Sequence, residues 1–95
     1  MSVTCGILTV RKPANITATD MIMSTADCDE PCSSTVTITW TNTGGRTATV
    51  TPAIVVNGVR TAGAPMTLIA GASDTRVFEL VDRMEGVYTI CPDPN

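Results

Sequence analysis

The stretch STVTITWTN, residues 34 to 42, decides the fold class. Val36, Ile38 and Trp40 fall on one face of an extended chain and Thr35, Thr37, Thr39 and Thr41 on the other, which is the period-two pattern of a half-buried strand. Asn42-Thr43-Gly44-Gly45 follows, made of residue types that supply the positive φ of a tight reversal. Arg46 to Val56 then resumes as a second β-rich run, so the two runs are predicted to form a hairpin. Pro52 lies inside the second run. Without an N–H it would break a central ladder, and it is expected at a bulge or on an edge-facing stretch.

Working outward, Asn57-Gly58 signals another turn, and Val59-Arg60 and Pro65 to Ile69 read as short strands separated by Ala62-Gly63-Ala64. Ala70-Gly71-Ala72-Ser73 punctuates the chain before Asp74 to Val81, where Phe78 and Leu80 face a core and Glu79 faces water. Arg76 shares the face of Phe78 and is placed at the rim. Gly86 to Cys91 alternates Tyr88 and Ile90 against Val87 and Thr89, and Pro92 and Pro94 are expected to stop it continuing as a paired strand. Toward the N-terminus, Ile16 to Ser24 and Cys5 to Arg11 are further strand candidates, separated by Pro13. About seven short strands with turn signals roughly every 8 to 12 residues predict an all-β antiparallel sandwich. The expected core holds Val36, Ile38, Trp40, Phe78, Leu80, Tyr88 and Ile90.

Composition narrows the function classes. The 95 residues suffice for one domain and one two-layer core. Only 16% are charged and 17 are Thr, so the outward strand faces carry hydroxyls rather than ions. A net charge of −3 and a single lysine, Lys12, remove the basic footprint that phosphate-backbone binding needs, so no nucleic-acid partner is expected. No run approaches the roughly 18 apolar residues of a membrane span, and no membrane insertion is expected. MSVTCGILTVRKP lacks a basic start, a long apolar core and a small-residue cleavage site.

Cys5, Cys28, Cys32 and Cys91 suggest two disulfides, which persist mainly outside the reducing cytosol. Export as part of a larger secreted protein, release within an assembly such as a virion, or a disulfide-tolerant hyperthermophile cytosol would each reconcile those bridges with the missing signal. Four cysteines allow three pairings. Cys28 with Cys32 and Cys5 with Cys91 is the favoured set, the second bridge closing a long loop that the chain-entropy model values at about 4 to 5 kcal/mol. Cys28 with Cys91 is the competing choice.

The segment Asp27-Cys28-Asp29-Glu30-Pro31-Cys32 admits three chemistries. A zinc site would need two more nitrogen or sulfur ligands in a chain without histidine. A calcium loop lacks the alternate donor spacing and the turn glycine of an EF-hand. A disulfide-stapled turn needs only proximity, and it is the expected reading, with no metal and no cofactor. Catalytic residues are not expected either: there is no Gly-x-Ser-x-Gly context, and Asp82 with Glu85, the one neighbouring carboxylate pair of interest, reads as a solvated turn. Gly44-Gly45 and Gly71 read as turn glycines, since no helix follows to make a phosphate cradle. Asn15-Ile16-Thr17 matches the short glycosylation acceptor pattern.

Residues 16 to 95 also resemble the cell-adhesion-related CARDB type of immunoglobulin-like repeat found in bacterial and archaeal surface proteins. VTITWTNTGG at 36 to 45, IVVNG at 54 to 58, LIAGASDTRVFEL at 68 to 80 and GVYTI at 86 to 90 carry the likeness. Together with the length, which suits one domain, and the strand candidate before it, the likeness gives an expected single immunoglobulin-like domain over residues 1–95, with 1–14 an extra strand and linker and 15–95 the sandwich. It also makes Gly86-Val87-Tyr88 similar to a tyrosine corner. Such repeats continue into another strand after the Gly-x-Tyr stretch, whereas this sequence stops at Cys91-Pro92-Asp93-Pro94-Asn95. The edge so exposed invites pairing. The Cys5 to Arg11 segment is expected to fold back and fill it; the alternative is that it fills the same place in a neighbouring copy.

The expected function is therefore a non-catalytic structural or assembly protein on an extracellular surface, as a virion component, a decoration protein or a surface-filament subunit. Its partners would be other copies of itself or a neighbouring surface or capsid protein. An adhesion or spacer repeat of a large secreted protein is the alternative, and a carbohydrate- or protein-binding module is the second.

Overall fold

The computed structural model describes residues 3–95. Among them are eight β-strands and no helix: β1 (Ile16–Met23), β2 (Cys32–Asn42), β3 (Ala48–Val50), β4 (Ala53–Val56), β5 (Val59–Ala62), β6 (Met66–Leu68), β7 (Ser73–Arg83) and β8 (Ile90–Asp93). All five pairings are antiparallel and fall into three sheets, with strand orders β1-β2-β7, β3-β6 and β5-β4-β8.

The alternation in β2 sets the core. Val36, Ile38 and Trp40 are each 0% exposed, and they join Ile54 and Val56 of β4, Met66 and Leu68 of β6, and Phe78 and Leu80 of β7 in one apolar cluster. Tyr88 and Ile90 pack against that cluster half-buried. Trp40 and Phe78 meet edge to face with ring centroids 6.3 Å apart, a geometry aromatic quadrupoles favour. The indole N–H donates to the Pro94 carbonyl at 2.7 Å, which holds the segment after β8 beside β2. On the opposite face the threonines bond across strands: Thr19 with Thr41 at 2.9 Å, Thr41 with Ser73 at 2.7 Å, and Thr49 with Thr67 at 2.8 Å in the β3-β6 ladder. The hydroxyl-rich composition is thus spent on cross-strand pairs.

Three expectations change. Arg46 to Val56 is not one strand and does not pair with β2; it divides into β3, which pairs with β6, and β4, which pairs with β5 and β8. The cause is Pro52, buried between them, where the chain leaves one ladder for another. Gly44 and Gly45 do not carry the positive φ values, which occur at Asn57, Gly58, Gly71, Asp82 and Gly86. Gly44 is required for a different reason: a Cβ there would lie 2.7 Å from Ala14 Cα and Asn15 N and would collide with the Pro13 carbonyl. Pro92 does not end the last strand either, since β8 runs to Asp93 with Ile54 opposite Pro92.

The register explains why that proline is tolerated. Asn57 N–H donates to the Thr89 carbonyl at 2.9 Å, so in this ladder Thr89, Cys91 and Asp93 aim their backbone groups at β4. Pro92 then faces the open side of an edge strand, where its missing N–H removes no ladder bond. Arg76, half-buried beside Phe78's row, donates to the carbonyls of Ala64 and Pro65 and to Asp74. The Thr75 backbone N–H and the Arg76 guanidinium hold the Asp74 carboxyl below its ordinary range.

Asn42 is the one buried polar side chain among the described residues that this fold has to satisfy in full, at 0% exposure. Its Oδ1 accepts from Asn15 N at 3.1 Å and Gly44 N at 3.0 Å, and its Nδ2 donates to the carbonyls of Arg46 at 2.6 Å and Leu68 at 3.0 Å. Asn42→Ala should cost about 3 kcal/mol, because it strands those backbone groups away from water. A urea titration checks it: the midpoint should fall while the slope stays constant.

Candidate functional site

Two features stand outside the ladders. The first is an arm. Residues 3–11 enter no strand, and Val3, Ile7, Leu8 and Val10 are 90%, 94%, 87% and 81% exposed. The radius of gyration is 19.2 Å, against about 12 Å for a compact chain of this length. The principal extents of 81 × 20 × 18 Å leave no room for a lateral excursion, so the arm prolongs the long axis of the body. Its root is fixed: Gly45 N–H donates to the Lys12 carbonyl at 3.1 Å and Thr43 N–H to the Asn15 carbonyl at 2.8 Å. The strand expected over Cys5 to Arg11 is therefore absent, because nothing in its own chain pairs with it.

The second feature is a cleft of about 650 Å³ at the other end of the body. The antiparallel register places Ile16 opposite Asn42 and Met23 opposite Val36, so the arm leaves one end of β1 and the cleft opens beyond the other. Met23, Leu80, Tyr88 and Ile90 supply apolar wall, and the segments 25–30 and 83–87 form the rim. Asn57 fixes the chain just before β8: its Oδ1 accepts from Thr89 N at 2.7 Å. The Tyr88 hydroxyl donates to the Met84 carbonyl at 2.8 Å, and the Arg83 guanidinium lies over the Tyr88 ring at 5.6 Å.

Cys28 and Cys32 are joined by a disulfide, with Cα atoms 5.7 Å apart, across the rim turn. Cys5 and Cys91 are both free and exposed. The bridge expected between them within one chain is absent because the arm carries Cys5 away from the body. Asp27, Asp29 and Glu30 are exposed, and Glu30 Oε2 accepts from Glu85 N at 2.8 Å, tying the two rim segments together. No group of three or more acidic or thiol side chains among the described residues is arranged to hold a metal ion. Asp82 and Glu85 are both exposed, but they do not share a turn: Asp82 lies within β7, with φ of 51° and its N–H donating to Ser33 Oγ at 3.1 Å, and Glu85 follows the strand. Asn15, the candidate glycosylation residue, is exposed and donates through Nδ2 to Thr43 Oγ1 at 3.0 Å.

Of the acids near the cysteines, Glu30 ties the rim together through its carboxylate, and what the cleft offers is an apolar floor within a polar, disulfide-restrained rim. The cleft itself had no sequence signature, since its walls come from four separate stretches. Replacing Cys28 and Cys32 together by Ser should lower stability by about 2 kcal/mol, the chain-entropy value for so short a loop. Thermal melting of the double variant against the oxidised parent measures it.

No protein-family model matches this chain, and no curated protein matches it.

Proposed function

We propose that this chain is an immunoglobulin-like β-sandwich acting as a non-catalytic structural subunit that assembles end to end on an extracellular surface. The single observation that carries the reading is the arm: four large apolar side chains are held almost wholly in water on a segment with no pairing inside its own chain. Each such side chain is worth about 1.5–3 kcal/mol when fully buried, so a second surface that covers them gains substantial free energy. The sandwich reading is supported by one apolar cluster drawn from all three sheets. The extracellular reading is supported by the Cys28–Cys32 disulfide, because such bonds persist in oxidising compartments.

The arm and the cleft lie at opposite ends of an elongated body, so contacts between them are heterologous, and repeated contacts of that kind build a line rather than a symmetric pair. A virion surface and a cell-surface filament both accommodate such a subunit.

The test is sedimentation velocity with electron microscopy of the full chain beside a form lacking residues 1–11. The full chain should give species that lengthen with concentration, and the shortened form should stay monomeric with an unchanged circular-dichroism spectrum. A full chain that remains monomeric up to its solubility limit overturns the reading.

A further inference from the structure

Resting on that assembly reading, we propose that the arm docks beside β8 of a second copy of this chain and that Cys5 of the arm forms a disulfide with Cys91 of the acceptor. Four observations converge on this pairing. β8 is an edge strand, its backbone bonded to β4 on one side only, with β1 close by but not paired to it. In its register Ile90 turns its backbone N–H and C=O to the open side, and Pro92 turns only a carbonyl there, so the edge accepts a partner through a shortened ladder. Cys91 lies opposite Val55 and is exposed, on the face away from Ile90 and the core. The thiol of Cys5 is exposed on the apolar arm.

The geometry of that edge suits a disulfide. Because Cys91 aims its backbone at β4, it would meet an incoming strand at a non-hydrogen-bonded position, where facing Cα atoms are about 4.5 Å apart and within disulfide reach. With Cys5 on the outer face beside Cys91, strand alternation turns Leu8 and Val10 to the inner face. In an antiparallel approach Leu8 then stands opposite Tyr88, at the apolar wall of the cleft. The arm would leave the acceptor at its cleft end, which is where a donor body collinear with its own arm must sit.

Within one chain the same bond is not made: Cys5 and Cys91 are both free, and the arm carries Cys5 along the long axis away from the body.

Formation of the bond removes two protons and two electrons from the two thiols. With oxidised glutathione as acceptor, the thiolate of one cysteine displaces a glutathione thiolate, and the second cysteine displaces the other by attack on the mixed disulfide. Two reduced glutathiones leave for each bridge made.

The experiment uses the full chain, purified reduced and then equilibrated with a mixture of reduced and oxidised glutathione. Non-reducing electrophoresis should show a ladder of covalent multimers that collapses on reduction, with a Cys5–Cys91 peptide pair in the mass spectrum. Cys5→Ser and Cys91→Ser should each give monomer alone, and their equimolar mixture should give one heterodimer and no ladder. Leu8→Asp with Val10→Asp, both cysteines kept, should slow bridging by about ten-fold or more, since burial of those two side chains is lost. A dimer from either single-cysteine variant alone, or a parent monomer two mass units lighter with an internal Cys5–Cys91 bridge, overturns the proposal. Filaments of the full chain that carry no Cys5–Cys91 peptide pair after equilibration with the glutathione mixture would overturn the disulfide while leaving the assembly reading in place.

Discussion

Everything in this fold hangs on how one buried amide is satisfied. Asn42 ends β2, the strand that supplies three of the four core side chains at 0% exposure, Val36, Ile38 and Trp40, and none of its surface reaches water. Its backbone N–H donates to the Ala72 carbonyl at 2.9 Å and its carbonyl accepts from Gly71 N at 2.8 Å, which fixes the turn entering β7. Its side chain bonds to Asn15, Gly44, Arg46 and Leu68. One residue therefore binds the root of β1, the loop leaving β2, the end of β6 and the start of β7. A hydrophobic side chain of the same size would fill the space and leave those backbone groups unbonded, a cost of the kind that buried polar groups rarely incur in native proteins. Core packing is non-directional; this residue supplies direction.

That constraint also anchors the arm. Asn15 N–H is held by Asn42 Oδ1, and Gly44 and Gly45 come so close to residues 12–15 that the chain must leave the body there. The arm is loose in its contacts but fixed in its point of departure.

How much of this was legible follows from where each signal lives. The faces of β2 and β7 are written in local alternation, and Asn57-Gly58 carries the positive φ values, 49° and 84°, that its composition announces. The division of Arg46 to Val56 between two ladders was not legible, because Pro52 marks an interruption without saying which strand each half will join. Asn42 read as a turn residue, since its burial depends on segments up to 30 positions away in sequence. Cys28–Cys32 was legible from proximity along the chain. The state of Cys5 and Cys91 was not, because it depends on whether the first strand candidate finds a partner within its own molecule, and a period-two pattern is silent on who the partner is.

Pro92 adds a consequence in terms of selectivity. A strand edge with every donor and acceptor in place will take almost any extended peptide, whereas on the open side of β8 one of the two outward-facing residues, Pro92, has no N–H to donate. Backbone affinity alone is thereby kept too weak to trap strangers. Any visitor that stays must be recognised by its side chains, so discrimination at this edge passes from the main chain, which all peptides share, to the particular sequence that arrives.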